Sequence, residues 1–241
     1  MNSPLERYSS LRELVKENFS EHTQQMVDHA LLFAHERLHT LSRYDSSPML
    51  DHGVGVARIV VEGIGLGRNS TIAAIIHDVV RIAFQEHDAT IDALLATIRQ
   101  EYGEETLGIT IALAKISDIK LKASKEQASD FRDMIVSYSE DPRVILIKLA
   151  DRLEVMRSLD MFPERKRRKK SWESLNLYAQ IAHKLGLYSI KSELEDLSLK
   201  HLEPDMYNHI VHELKESEAE RMAFIDEVLK PIGKLLEDDG S

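Results

Sequence analysis

The chain has 241 residues, of which 43% are hydrophobic, so it can bury a sizeable core and is not a disordered polypeptide. Its net charge of −10 argues against a domain that works by neutralising nucleic-acid phosphates. The absence of cysteine excludes disulfide frameworks, cysteine-type zinc sites and thiol catalysis.

The N-terminal sequence lacks the charged and apolar regions of a signal peptide. No apolar run approaches the ~18 residues of a membrane span. Together with the lack of cysteine, these features predict a cytoplasmic protein that has no membrane partner.

The apolar periodicity predicts an all-α chain. Apolar residues between Leu11 and Leu41 recur at helical spacing and indicate one or two amphipathic helices. Turn-forming residues over 43–52 predict a loop that delivers His52 to the next helix. That helix is predicted over 54–64 and is ended by the glycines that follow it.

The segment 71–80, TIAAIIHDVV, predicts a helix without a polar stripe, which is typical of a central, buried position. His77 and Asp78 at its end are then buried, and a buried carboxylate needs an ion pair or a metal as its partner. The same periodicity predicts further helices over 91–102, 104–116, 126–139, 142–159, 164–185, 187–200 and 204–236.

No linker, repeat or low-complexity segment divides the chain, so residues 1–203 are predicted to form one domain. Residues 204–241 are predicted to form a C-terminal helical extension. The six consecutive cations at 165–170 are either a solvated helix start or a patch that faces phosphate.

Four side chains with nitrogen or oxygen ligands form a candidate metal set: His52, His77, Asp78 and Asp151. Adjacent residues of a helix point about 100° apart, so a single ion between His77 and Asp78 needs ligands from other segments. Asp151 lies at the edge of an apolar seam in 142–159. The spacing alone also fits a satisfied core pair, so both interpretations stay open.

Several segments resemble the N-terminal HD hydrolase domain of the RelA/SpoT alarmone synthetase/hydrolase family. They are HDVV at 77–80, ILIKLADRL at 145–153 and the long stretch at 174–207. RYDSSPMLDH at 43–52 is similar, in register, to the family's loop Arg-Tyr-Ser-Gly-Glu-Pro-Tyr-Ile-x-His. The resemblance covers about residues 25–210 and implies an all-α HD-domain helical bundle that holds one Mn²⁺ ion.

All four metal ligands of the family are present, as His52, His77, Asp78 and Asp151. The family reaction removes the 3′-pyrophosphate of (p)ppGpp, so the resemblance implies a guanosine polyphosphate as the partner. A hard ion held by imidazoles and carboxylates keeps positions for a phosphate oxygen and a water whose pKa it lowers. The resemblance also allows a synthetase domain beyond this chain.

The chain departs from the family at the acidic Glu-Asp pair after HDVV, where it has Arg81 and Ile82. Loss of a positioned base costs typically 10²–10⁴-fold in rate, which predicts impaired or absent hydrolysis. The connection that follows is longer than in the family, and its Glu86 and Asp88 are candidates for a substitute base in an active Mn²⁺-dependent enzyme. An exposed turn is the other interpretation of these two residues.

The expected nucleotide contacts are Arg43, which matches the family's guanine-stacking arginine, and Ser158, which keeps a hydroxyl for ribose or phosphate. Glu154 and Val155 stand where the family usually has His-Asn. They add a negative charge and remove an amide. This change also fits a phosphohydrolase for a different nucleotide.

Overall fold

The computed structural model describes residues 4–118 and 141–218, together with Met222. Within these ranges every regular element is helical, apart from an isolated bridge between Ser42 and Pro48. The predicted all-α class is confirmed. The helix predicted over 126–139, and the part of 204–236 beyond residue 218 other than Met222, lie outside the described residues.

The helices in chain order are α1 (Pro4–Arg7), α2 (Ser9–Asn18), α3 (Glu21–Leu38), α4 (Leu50–Arg58), α5 (Arg68–Gln85), α6 (Ile91–Asp118), α7 (Pro142–Arg157), α8 (Glu164–Glu173), α9 (Ala179–Lys184) and α10 (Tyr188–Leu202). A π-helical turn at Ile59–Ile64 continues α4, and another at Ser174–Tyr178 joins α8 to α9. A short 3₁₀ turn, Leu159–Met161, follows α7.

Helix α5 is the centre of the bundle, because it packs against α3, α4, α6 and α7. Its residues 72–76 are completely buried, as the absence of a polar stripe predicts. Helix α4 approaches α5 closely at Gly53, where a Cβ atom would lie 2.7 Å from the carbonyl oxygen of Ile75. This close approach places His52 beside His77.

The boundary predicted between the loop at 43–52 and the next helix is wrong by a few residues. Helix α4 begins at Leu50, so His52 lies in its first turn rather than in a loop. The reason is tertiary packing, since Leu50 is buried in the core and the N–H of His52 donates to the carbonyl of Met49.

Two of the predicted glycine breaks have left-handed backbone, which glycine adopts without strain. Gly65 ends the π-helical turn after α4 with φ of 77°. Gly103 has φ of 86° and divides α6 into the two predicted helical segments.

Residues 204–218 are helical, and none of the side chains in this segment is buried. Met206, Ile210 and Leu214 are among its exposed apolar residues. The domain boundary at residue 203 stays a prediction. In the described part of the chain, no helix combines the length and the apolarity that crossing a membrane would require.

Candidate metal centre

Three helices bring one potential ligand each to a common point. His52 of α4, His77 of α5 and Asp151 of α7 offer ligand atoms that all lie within 4.8 Å of one another. The side chains of His52 and Asp151 are 11% and 14% exposed, and that of His77 only 5%. A largely buried cluster of two imidazoles and a carboxylate is a suitable donor set for a divalent ion.

Asp78 lies next to these three residues. Its Oδ1 is 3.5 Å from Nε2 of His77 and accepts from the guanidinium of Arg81 at 2.7 Å. Its Oδ2 is buried and has no hydrogen-bond partner among the described residues. A desolvated carboxylate oxygen without a partner is costly, and a bound cation would remove that cost. The residues present therefore fit a divalent ion.

The two histidines carry opposite pKa shifts. Burial alone would lower the pKa of His52, but hydrogen bonds to Asp151 and Glu154 outweigh it and raise the pKa to about 10. Burial lowers the pKa of His77. Because Nδ1 of His77 donates to the carbonyl of Ala74 at 2.7 Å, its Nε2 keeps a lone pair that can bind a metal.

Both aspartates are ionised at neutral pH despite their burial. Burial would raise the pKa of Asp78, but His77, His52 and Arg81 lower it to about 2. Burial would likewise raise the pKa of Asp151, and the ammonium of Lys148, 2.5 Å away, holds it well below its usual range. Ionised carboxylates are the form that binds a metal ion.

The cluster lies in the wall of a cavity of about 720 Å³. The cationic side chains that line this cavity are Arg43, Arg81, Lys148, Arg152, Lys166, Lys169 and Lys170. Lys170 is affected by this crowding, because burial and the charge of Arg152 lower its pKa to about 8. One face of the basic run at 165–170 therefore lies against the cavity, as the phosphate-facing interpretation requires.

Residues 30–188 match the sequence family described as HD domain. The chain belongs to this HD-domain family. It is 35% identical to the guanosine-3′,5′-bis(diphosphate) 3′-pyrophosphohydrolase of Aquifex aeolicus. This match extends over 205 residues, which are 85% of this chain and 28% of the relative. It is 32% identical to the bifunctional (p)ppGpp synthase/hydrolase SpoT of Escherichia coli K12. This match extends over 234 residues, which are 97% of this chain and 32% of the relative.

A third relative, the probable GTP pyrophosphokinase of Mycobacterium leprae, is 34% identical over 196 residues, which are 81% of this chain and 24% of the relative. The resemblance to the RelA/SpoT family is thus confirmed, and the chain carries an HD domain of that type. The chain spans about a third or less of the length of these relatives.

The HD domain places the two predicted nucleotide contacts against each other. Nη2 of Arg43 donates to Oγ of Ser158 at 2.7 Å, and Nη1 of Arg43 lies 2.9 Å from Oε1 of Glu154. Oγ of Ser158 donates in turn to the backbone carbonyl of Glu154 at 3.0 Å. Arg43 lines the cavity and Ser158 does not. Their roles in nucleotide binding stay predictions.

The two candidate bases lie apart from the cluster. Glu86 and Asp88 are exposed residues after the end of α5, and neither lines the cavity. Oδ1 of Asp88 accepts from the backbone N–H of Thr90 at 2.7 Å, which gives it a turn-forming role. The structure thus does not bring these carboxylates to the metal centre, and their catalytic role stays a prediction.

The sequence indicates Glu154 only as a negative charge near the nucleotide and does not indicate its position beside His52. The residue is 8% exposed, and its Oε2 accepts from Nδ1 of His52. The spacing contains a signal for this contact, because Asp151 and Glu154 are three residues apart and share one face of α7. Both carboxylates contact the same imidazole.

Proposed function

We propose that this HD domain binds one divalent ion, Mn²⁺, and a guanosine polyphosphate in the cytoplasm, and that it removes the 3′-pyrophosphate slowly or not at all. The observation that carries the proposal is the buried cluster of His52, His77 and Asp151 beside Oδ2 of Asp78, which has no hydrogen-bond partner in the part of the chain that the structure describes. The Aquifex relative is named for hydrolysis of guanosine-3′,5′-bis(diphosphate), which supports the substrate class.

The residues that would hold the ion are His52, His77, Asp78 and Asp151. A bound divalent ion would lower the pKa of a water molecule and stabilise negative charge on a phosphate. Lys148 contacts Oδ2 of Asp151 at 2.5 Å, and the carbonyl of Ala74 fixes the ring of His77. The contact with Ala74 orients His77 before any substrate enters.

The cationic wall of the cavity supports a substrate with several phosphates. Lys166, Lys169 and Lys170 line it from α8, and Arg152 lines it from α7. Nη2 of Arg152 is 3.0 Å from Glu173, whereas its buried Nη1 has no hydrogen-bond partner among the described residues. The phosphate groups of such a substrate would offset the positive charge of these lysines.

The proposal of slow hydrolysis is supported by the carboxylates that line the cavity, because each of them already has a partner or a role. They are Asp78 and Asp151, which are proposed ligands, and Glu173, which is paired with Arg152. At the family's acidic pair, Arg81 contacts Asp78 and Ile82 packs against the hydrophobic core. Within the described residues, no carboxylate of the cavity is therefore free to take a proton from water.

Two alternatives remain as proposals. An active Mn²⁺-dependent 3′-pyrophosphohydrolase would use Glu86 or Asp88 after a rearrangement at the end of α5. A phosphohydrolase for a different nucleotide is favoured by the ion pair between Arg43 and Glu154, since it occupies the arginine expected to stack on guanine. A synthetase domain in a longer chain is also a proposal, supported by the bifunctional name of the Escherichia coli relative.

The test combines ppGpp binding by calorimetry with pyrophosphate release, each with and without Mn²⁺. We expect Mn²⁺-dependent binding and a release rate below that of the Aquifex relative by on the order of 10²–10⁴. The variants Glu86→Ala and Asp88→Ala should leave this residual rate unchanged, whereas a loss in either one supports the active alternative. Binding of other nucleotides but not of ppGpp would contradict the proposal.

A further inference from the structure

Glu154 connects a proposed metal ligand to an arginine of the cavity wall. Its Oε2 accepts from Nδ1 of His52, and its Oε1 lies 2.9 Å from Nη1 of Arg43. We propose that Glu154 is a positioning residue that orients His52 for the divalent ion and shares its charge with Arg43. A ligand that engages Arg43 then changes the affinity of the ion. This inference rests on the metal site in the proposed function.

The two ring nitrogens of His52 face different partners. Nε2 points into the cluster, 3.1 Å from Oδ1 of Asp151, and Nδ1 points to Glu154. A histidine that ligates a metal through one nitrogen usually donates its other N–H to a carboxylate or carbonyl, which fixes the ring and makes the ligand nitrogen more basic. Glu154 is placed for this role at His52, as the carbonyl of Ala74 is at His77.

Arg43 competes with His52 for the charge of the same carboxylate. The side chains of Arg43 and Glu154 are both 11% exposed, so their attraction is only weakly screened by solvent. Arg43 lines the cavity and is therefore within reach of a bound ligand. When a ligand draws the guanidinium away, the full charge of Glu154 acts on His52, and binding at the two sites becomes coupled.

Helix α4 leaves space for the side chain of Glu154. A Cβ atom at Gly55 of α4 would lie 2.7 Å from Cγ of Glu154, so residue 55 must be glycine for Glu154 to keep its position. At position 154 this chain has glutamate, whereas the resembled family usually has histidine. The connection between Arg43 and His52 is thus a property of this chain rather than one carried over from the resemblance.

The first test measures the affinity for Mn²⁺ alone by calorimetry. Glu154→Gln keeps the size of the side chain and removes its charge, and we expect Mn²⁺ to bind 10–100-fold more weakly, about the usual loss for an outer-shell partner. The control is Glu193→Gln. It breaks an exposed ion pair with Arg157, which lies in the same helix as Glu154, and the distance from Nε of Arg157 to Oε1 of Glu193 is 2.6 Å. It should leave the affinity within about twofold.

A second variant perturbs Glu154 without changing any charge. Gly55→Ala pushes on Cγ of Glu154 and should also weaken Mn²⁺ binding. Gly63→Ala is its control, because the nearest atom to a Cβ there is 3.6 Å away. If Glu154→Gln fails to fold by circular dichroism, the comparison of these two alanine variants decides the question.

Two further readouts separate positioning from general stability. Arg43→Ala should tighten Mn²⁺ binding in the unaltered chain and have no effect in the Glu154→Gln background. With Zn²⁺ as a diamagnetic probe, the imidazole N–H proton of His52 should resonate far downfield in the unaltered chain. Glu154→Gln should move this resonance upfield, whereas Glu193→Gln should not.

Equal Mn²⁺ affinities for Glu154→Gln and Glu193→Gln would overturn the inference, as would an Arg43→Ala effect of the same size in both backgrounds. Such a result leaves the metal site of the proposed function standing. If the unaltered chain binds no Mn²⁺ at all, the metal site itself fails and this inference fails with it. The two failures are therefore distinguishable.

Discussion

Arg81 contacts Oδ1 of Asp78 with two nitrogens, Nε and Nη2, each at 2.7 Å. The other oxygen of this carboxylate is buried without a hydrogen-bond partner among the described residues. Arg81 therefore places a positive charge beside a proposed metal ligand, at a position where the resembled family has a carboxylate. We expect this charge to oppose a cation bound at Asp78.

The first prediction concerns this charge. Arg81→Gln should make Mn²⁺ bind about tenfold more tightly, because a hydrogen bond between charged groups is worth about 1.5 kcal/mol and Asp78 would no longer share its charge. Calorimetry with Mn²⁺ measures the change. Arg99→Gln, which breaks the exposed pair of Arg99 with Glu104, is the control. Unchanged or weaker binding by Arg81→Gln would show that Arg81 does not compete with the ion.

The second prediction is a pH dependence at Lys170. Burial and Arg152 lower its pKa from the usual 10.5 to about 8, so the side chain loses its positive charge as the pH rises through 8. A polyphosphate prefers the charged form, so the contribution of Lys170 to ppGpp affinity should be fully present below pH 8 and weaken as the pH rises through 8. It should be lost only above the higher pKa that Lys170 has in the complex.

NMR of lysines labelled with ¹³C at Cε, compared with Lys170→Gln for assignment, tests this prediction. Lys170 should titrate near pH 8 in the folded protein and near its ordinary value in urea, where burial is lost. Addition of ppGpp should raise the pKa in the folded protein. Titration of Lys170 at its ordinary value in the folded protein would contradict the placement of its side chain in the cavity wall.

The third prediction concerns the approach of α4 to α5. Gly53→Ala puts a methyl group 2.7 Å from the carbonyl oxygen of Ile75, a backbone atom that cannot move aside easily. We expect a loss of about 1–3 kcal/mol in the free energy of unfolding, measured in urea, because overpacking forces the helices apart. Gly108→Ala should not destabilise the protein, since a Cβ there meets no atom within 4 Å. An equal effect of the two variants would refute the close approach.

The helical fold was readily predictable because its signals are local. The apolar run at 71–80 indicated the buried centre of the bundle, and Gly103 indicated the break in α6. The start of α4 was less predictable. The burial of Leu50 extends that helix past His52 to residue 50, and burial depends on residues distant in the sequence.

Residue types and the family resemblance predict the candidate ligands His52, His77 and Asp151, and the structure brings them together. The contacts of Glu154 could not be predicted in the same way. They depend on a pairing with Arg43 across more than a hundred residues and on the space left by Gly55. The i, i+3 spacing to Asp151 indicated a shared helix face but not which partners lie opposite it.

We propose that hydrolysis is slow because Arg81 and Ile82 replace an acidic pair. The most direct measurement is single-turnover pyrophosphate release from ppGpp by the Mn²⁺-loaded chain, compared with the double variant Arg81→Glu, Ile82→Asp. We expect the double variant to be faster by on the order of 10²–10⁴, the usual contribution of a positioned base. Release by the unaltered chain that is already as fast as release by the double variant would contradict it.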